Sequence, residues 1–303
     1  MRLPIVHHPA YVARLPAGHR FPMEKFGRLM AELRAAGLAT AENTHVPTVA
    51  PLATLQRVHT ADYVAGIVGL TAPAATMRRI GLPLTRSLAE RARLAVAGTV
   101  LTAELALAHG LACNTAGGSH HARTDGGAGY CVFNDVAVAA REMQARGLAR
   151  RVLVIDLDVH QGDGTAEIFQ ADDSVFTFSM HCEKNYPVRK QRSDRDIGLA
   201  VGVQDQAYLG LLEHELASLF ERARPDLVFY NAGVDPHADD RLGRLAMSDA
   251  GLARRDHAVL AACRQRGLPV AGVIGGGYAD DLAALAARHA ILHRTAQDLL
   301  DGI

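Results

Sequence analysis

Hydrophobic residues make up 49% and charged residues 21% of this 303-residue chain, enough apolar material for a substantial core and too mixed a charge for a disordered one. The 32 basic and 32 acidic side chains cancel, so no overall field draws the chain to nucleic acid or to an anionic membrane. Cys113, Cys131, Cys182 and Cys263 lie far apart with no C-x-x-C pair, which fits reduced thiols in a cytoplasmic protein; no apolar run approaches a membrane span, and MRLPIVHHPAY has no signal-type apolar core.

In chain order, residues 1–51 mix prolines and histidines around one helical pattern, Met23 to Gly37. His7, His8, His19 and His45 lack mutual ligand spacing and read as loop or core histidines. Leu55 to Gly69 reads as a helix preceded by a turn at His59-Thr60, with Asp62 either a rim residue or a first-turn acid that favours the helix dipole. Ser87-Leu88-Ala89-Glu90 has the pattern of a capping box and opens an Ala- and Leu-rich helix running to about Gly110, in which nothing suggests chemistry. Thr115 to Asn134, TAGGSHHARTDGGAGYCVFN, is a long glycine-rich loop of the kind compact domains keep for a site. Its adjacent His120 and His121 either line one pocket wall, held by separate carboxylates in different protonation states, or are solvated loop residues. Asn134 or Asp135 then caps a helix ending near Gly147.

Arg151 to Thr165, RVLVIDLDVHQGDGT, opens as a β-branched strand buried on both faces and turns abruptly into Asp156, Asp158, His160 and Asp163. Side chains alternate along a strand, so Asp156, Asp158 and His160 point the same way at its end. Two carboxylates and an imidazole on one face are costly to bury unless a cation sits there, and a divalent metal is the simplest answer. The alternative is a polar strand end bending into water with Asp163-Gly164 as a turn. Ser174 to Met180 is a further strand, followed by an irregular charged stretch, His181 to Ile197, read as a basic surface loop around Tyr186-Pro187. Gln206 to Ala223 is helical, and the strand Asp226 to Asn231 ends in AGVDPH. A helix over about Ser248 to Arg266 leads to the strand Pro269 to Ile274, which ends in GGGY, and a last helix starts near Asp280.

This alternation predicts an α/β fold spanning residues 1–303 as one domain, with a central mostly parallel sheet flanked by helices and the site at the C-terminal ends of the strands. Such a sheet brings Asp158, His160, Asp235, His120, His121 and Tyr278 into one crevice. Two carboxylates and one imidazole leave an open position on zinc or a similar ion, as in a catalytic site. The ion would polarise a carbonyl and lower the pKa of water to roughly 7, a histidine would take the water's proton, and a phenol would donate to the developing oxyanion. From the residues alone, this is a metal-dependent hydrolase of an amide-like bond.

GGSHHA, GYCVFND, DLDVHQGDGT, NAGVDPHADD and GGGY, in this order, resemble the signature blocks of the histone deacetylase branch of the arginase–deacetylase superfamily. The resemblance covers essentially the whole chain, and His160-Gln161 with VDPHADDRLGRLA looks most like the class IV deacetylases and their bacterial relatives. It implies an arginase/deacetylase-type fold with zinc, or ferrous iron, held by Asp158, His160 and Asp235. His121 is implied as general base and acid, with His120 its electrostatic neighbour; Asp156 would orient His120, Asp163 would orient His121, and Tyr278 would polarise the scissile carbonyl. A structural potassium ion is implied at Asp156 and Ser179, with carbonyls of Asp156, Asp158, His160 and Met180. The substrate tunnel falls on Gly129, Tyr130, Gly276 and Gly277, with Tyr130 where relatives usually carry phenylalanine.

The implied activity is removal of an acetyl or longer acyl group from acyl-lysine in a protein or peptide. A deacylase of acetylpolyamines or other small acylated amines uses the same residues. A catalytically silent acyl-lysine reader is the alternative from another class, and it would have no need of Tyr278 and both histidines. A binuclear manganese ureohydrolase needs a further carboxylate where this chain has Gly162.

Overall fold

The apolar runs of the sequence become the inner strands of one eight-stranded sheet in the computed structural model, which describes residues 1–302. The strands are β1 (Ile5–Val6), β2 (Thr44–His45), β3 (Leu111–Asn114), β4 (Val152–Asp156), β5 (Val175–Cys182), β6 (Arg195–Leu199), β7 (Leu227–Asn231) and β8 (Val270–Val273). Their order is β2-β1-β3-β8-β7-β4-β5-β6, and every pairing is parallel. All residues of β3, β4, β7 and β8 are buried, as strands covered by helices on both faces must be.

The helices are α1 (Lys25–Ala35), α2 (Leu52–Leu55), α3 (Ala61–Val68), α4 (Ala74–Ile80), α5 (Arg86–His109), α6 (Asp135–Ala145), α7 (Asp163–Phe169), α8 (Asp205–Ala223), α9 (Asp249–Gln265) and α10 (Leu282–Asp301). Among the described residues, no helix is long and apolar enough to cross a membrane. The cap of α5 is not Ser87: the Thr85 hydroxyl accepts the Leu88 N–H at 3.2 Å, and Ser87 hydrogen-bonds that same hydroxyl. Asn134 caps α6 by accepting the Ala137 N–H, which releases Asp135 for another task. The stretch expected to be irregular through Ile197 contains edge strand β6, whose Arg195 pairs with Glu215 on α8.

The order of the central strands is what assembles the site. β3, β8, β7 and β4 are consecutive neighbours, and their C-terminal ends lead respectively into the histidine loop, the GGGY loop, the Asp235 loop and the D-x-D-x-H segment. Register puts Asp156 of β4 level with Ser179 of β5 on one side and with Asn231 of β7 on the other.

Candidate metal centre and active site

Asp158 and His160 lie in the bend between β4 and α7, and Asp235 in the loop after β7. The three side chains are buried, and one candidate ligand atom from each falls within 4.8 Å of the others. His160 Nδ1 is 3.0 Å from Asp158 Oδ1 and 3.1 Å from Asp235 Oδ2. The remaining carboxylate oxygens are fixed by backbone donors: Gly276 N–H reaches Asp158 Oδ2 at 2.7 Å and Val159 N–H reaches Asp235 Oδ1 at 2.8 Å. A β-carbon at position 276 would stand 2.1 Å from Asp235 Oδ2 and 2.7 Å from Asp158 Oδ2, so glycine alone lets the loop after β8 close over both acids. Burial, and then the Asp158 charge, push the Asp235 carboxyl up to about 7. Burial opposes a charged His160, yet its hydrogen bonds to Asp158 and Asp235 outweigh it and raise the imidazole to about 10. Two buried acids that resist ionising together are a donor set that a divalent cation satisfies.

Position 162, beside this donor set, has no room for a further carboxylate. At Gly162 a β-carbon would meet Asp156 Oδ2 at 2.4 Å and His120 Nδ1 at 3.4 Å. A carboxylate at that position would displace the acid that holds His120.

His120 and His121 face each other through Nε2, 3.1 Å apart, and each reaches its own acid through Nδ1. His120 meets Asp156 Oδ2 at 2.7 Å, and His121 meets Asp163 Oδ1 at 2.6 Å. Asp156 is steadied by Asn231 Nδ2 at 2.9 Å, Asp163 by Arg123 at 3.0 Å. Burial disfavours charge on both rings, but for His120 the Asp156 and Asp158 charges prevail and push it up to about 9. His121 is held down at about 4 by burial and by the neighbouring His120 cation. These neighbours drive the two rings apart, His120 toward the doubly protonated form, whose Nε2–H faces His121 Nε2, and His121 toward the neutral form that donates Nδ1–H to Asp163. Ser179, 2% exposed, and Met180, 0% exposed, are buried on the neighbouring strand, with Ser179 Oγ 3.0 Å from His181 Nδ1.

A cavity of about 730 Å³ opens onto these groups, with His121, His160 and Tyr278 among its lining residues. Gly129 and Tyr130 form part of its wall. Tyr130 sits at φ 66°, a conformation rare for an aromatic residue, held by its N–H to the Ile80 carbonyl at 2.7 Å. Its ring stands 6.0 Å from that of Tyr278 and 5.1 Å from that of Phe21. Gly276 lines a smaller inner space behind the site. Gly277 is not among the lining residues of either space, and a β-carbon there would meet Val234 and His289. Burial, then the Asp235 and Asp158 charges, hold the Tyr278 phenol well above its ordinary range, so it remains a proton donor.

Several residues of the site carry no signal in the sequence. Tyr186 belongs to the stretch expected to be a bland basic loop, yet its ring lies edge-on to His121 at 4.8 Å and forms part of the cavity wall. Lys25, 1% exposed and held at about 8 by burial, donates to the carbonyls of Gly275 and Gly277 at 3.1 and 3.3 Å, behind the GGGY loop. Arg91 corrects the expectation that α5 is packing alone, since it reaches the Tyr11 carbonyl and lines the inner space. Arg255, wholly buried, donates to the Gly233 carbonyl at 2.6 Å and braces the Asp235 loop.

Asp135 does for the histidine loop what a cap does for a helix. It accepts the N–H groups of Gly118 at 3.1 Å and Ser119 at 2.7 Å, and the Thr99 hydroxyl at 2.5 Å. Asp135→Asn is expected to cost about 1–3 kcal/mol by leaving buried donors mispaired, read as a lowered denaturation midpoint, together with reduced turnover at unchanged metal content. An unaltered midpoint would show that the loop does not depend on this acid.

Comparison with known proteins places most of the chain in one family. The family model of the histone deacetylase domain matches residues 19–293. An uncharacterized protein of Picosynechococcus is 53% identical over 299 residues, 99% of this chain and 100% of that one. Histone deacetylase 2 of Arabidopsis thaliana is 30% identical over 269 residues, 86% of this chain and 70% of that protein. Among solved structures, an HDAC homolog complexed with SAHA matches with a TM-score of 0.81 at 24% identity, covering 100% of this chain and 89% of that one.

Proposed function

The chain belongs to the histone deacetylase family, and from that premise we propose that it is a zinc-dependent amidohydrolase that removes the acyl group of acylated lysine. The convergence of Asp158, His160 and Asp235 beside a split histidine pair, with His160, His121 and Tyr278 reaching one cavity, supports this best. Zinc, or ferrous iron in its place, would be held by those three side chains and supplies the Lewis acidity that polarises a carbonyl and lowers the pKa of water to about 7. His121 Nε2 takes the proton of the attacking water as oxygen adds to the carbonyl carbon, with Asp163 fixing the tautomer. The His120 cation balances negative charge as it develops. Tyr278 donates its hydroxyl hydrogen to the carbonyl oxygen, and His121 returns the proton to the leaving amine as the C–N bond breaks. Potassium at Asp156 and Ser179, with carbonyls of Asp156, Asp158, His160 and Met180, belongs to the same proposal. So do a class IV affinity and a cytoplasmic location, in keeping with four buried free cysteines.

The test is turnover by zinc-loaded protein of acetyl-, medium-chain- and long-chain-acyl-lysine peptides beside acetylated polyamines. Cleavage of lysine peptides is expected, and the rates give the acyl length. Cleavage of polyamines alone would move the substrate to small molecules, and no cleavage with zinc bound would leave a silent reader.

The histidine pair also has a pH signature. His121 must be neutral to act as base, so its protonation sets an acid limb of kcat/KM, which burial and the His120 cation place well below neutral pH. The His120 cation lowers His121's proton affinity. Replacing His120 with Asn removes that cation, so His121 is protonated at a higher pH and the acid limb should move upward. A limb that stays in place would separate the two rings electrostatically.

A further inference from the structure

The chain as a whole is neutral, but the mouth of its cavity is not. Arg79, Lys184 and Arg244 stand in the wall, exposed, and among the described residues none has a carboxylate within ion-pair distance. Arg244 instead donates to the Lys184 carbonyl at 3.2 Å, which holds its guanidinium against the Lys184 backbone. Neighbouring cations are already neutralised, Arg123 by Asp163 and Glu167, and Arg241 by Asp280. Glu183 is the one acid of the wall; its side chain is exposed, with the carboxylate beside Gly198 of β6 and 3.9 Å from His181 Nε2, so it offsets one of the three cations and leaves the mouth net positive. The Tyr186 loop continues with exposed Arg189 and Arg192, and Lys190 Nζ ties it down by donating to the Asn185 and Pro187 carbonyls, 2.7 Å each. Between the cations stand apolar side chains: Val188 is 96% exposed, Tyr186 42% and Leu242 41%.

Such a rim combines contact area for a passing chain with unspent positive charge. We propose that the mouth selects acyl-lysine within polypeptide segments whose flanking residues are acidic, an inference that rests on the acyl-lysine reading and narrows its substrate class. The apolar side chains suit a peptide laid across the opening, and one inserted acyl-lysine side chain leaves these outer contacts unused. The three cations meet carboxylates on either side of the lysine and repel basic flanks. The same charges disfavour acetylpolyamines, whose free amines would face Arg79, Lys184 and Arg244 on entry. Exposed charge pairs change an affinity by roughly two- to fivefold each, so two or three of them give about a tenfold preference at low salt. Opposed pairs at a wet rim are screened over about 10 Å at 0.1 M ionic strength and about 3 Å at 1 M, so the preference should fade as salt rises.

The experiment compares peptides with one acyl group and one central lysine, flanked by acidic, neutral or basic residues. For each, kcat/KM is measured at low and high salt with zinc-loaded protein, and binding is measured by fluorescence anisotropy to the Tyr278→Phe protein. Acidic flanks are expected to lead basic ones by about tenfold at low salt, with the ranking inverted in Arg79→Glu/Arg244→Glu. Equal kcat/KM across flanks, or a preference for basic flanks, would overturn the selection while leaving acyl-lysine hydrolysis intact. If no peptide is cleaved, the hydrolase reading falls, and the binding series still decides: tighter binding of acidic peptides upholds the rim's role, equal binding ends it. Should the double variant not fold, the salt dependence of the wild-type ranking decides in its place: a preference for acidic flanks that fades with salt supports the rim, and one indifferent to salt refutes it.

Discussion

Asp158→Ala is expected to yield a folded protein that holds less than about one-tenth of an equivalent of zinc and has no measurable deacylase activity. Asp158 stands at the centre of the donor set, accepting from His160 N–H at 3.0 Å and Gly276 N–H at 2.7 Å while facing the His160 ring at 3.0 Å. Removing even a residue that orients a metal ligand costs roughly 10- to 100-fold in affinity, and removing a ligand should cost more. The fold should survive. Two N–H groups lose their acceptor, a cost of about 1–3 kcal/mol each when buried. Against this, the mutation removes one of two mutually repelling buried acids, since the Asp158 charge is among the causes that raise Asp235. Elemental analysis of dialysed protein, with circular dichroism to verify folding, is the measurement. Zinc retained at wild-type stoichiometry would remove Asp158 from the ligand set.

What is legible in the sequence follows from how far apart the interacting residues lie. Asp156, Asp158 and His160 can be grouped by eye because strand alternation is a local rule, and the β-branched run before them marks the strand. The parallel sheet is legible for the same reason: strands followed by helices, each ending in glycines. Asp135 reads as a possible cap because an acid at a helix start is a local pattern, whereas its bonds to Gly118 and Ser119 cross 17 and 16 residues. Lys25 reaches carbonyls 250 and 252 residues away, a contact no periodicity records. Tyr186 is hidden for another reason. A charged, proline-containing stretch looks like solvent-exposed loop whether it wanders free or folds over a site, and only the approach of its ring to His121 tells these apart. Strands β1 and β2, two residues each, are too short to show alternation at all.

Tyr278→Phe should separate chemistry from binding, because the change deletes one oxygen and leaves the ring. That ring packs 6.0 Å from Tyr130 and 6.3 Å from Phe21 and His160, contacts a phenylalanine reproduces. Burial and the nearby carboxylates keep the phenol protonated far above neutral pH, so across the working range it is a hydrogen-bond donor and not a base. A donor aimed at the acyl oxygen gains most when that oxygen carries negative charge, in the transition state. Its loss therefore falls on kcat, by roughly 10²–10³ at 25 °C, the cost of one oxyanion donor. KM and zinc content should change little, since neither the cavity wall nor the Asp158–His160–Asp235 cluster is touched. A proportional rise in KM with kcat preserved would make Tyr278 a binding residue, and unchanged turnover would leave the oxyanion to the metal alone. A fall confined to kcat, at full zinc occupancy, assigns the phenol to the step in which the amide carbonyl becomes tetrahedral.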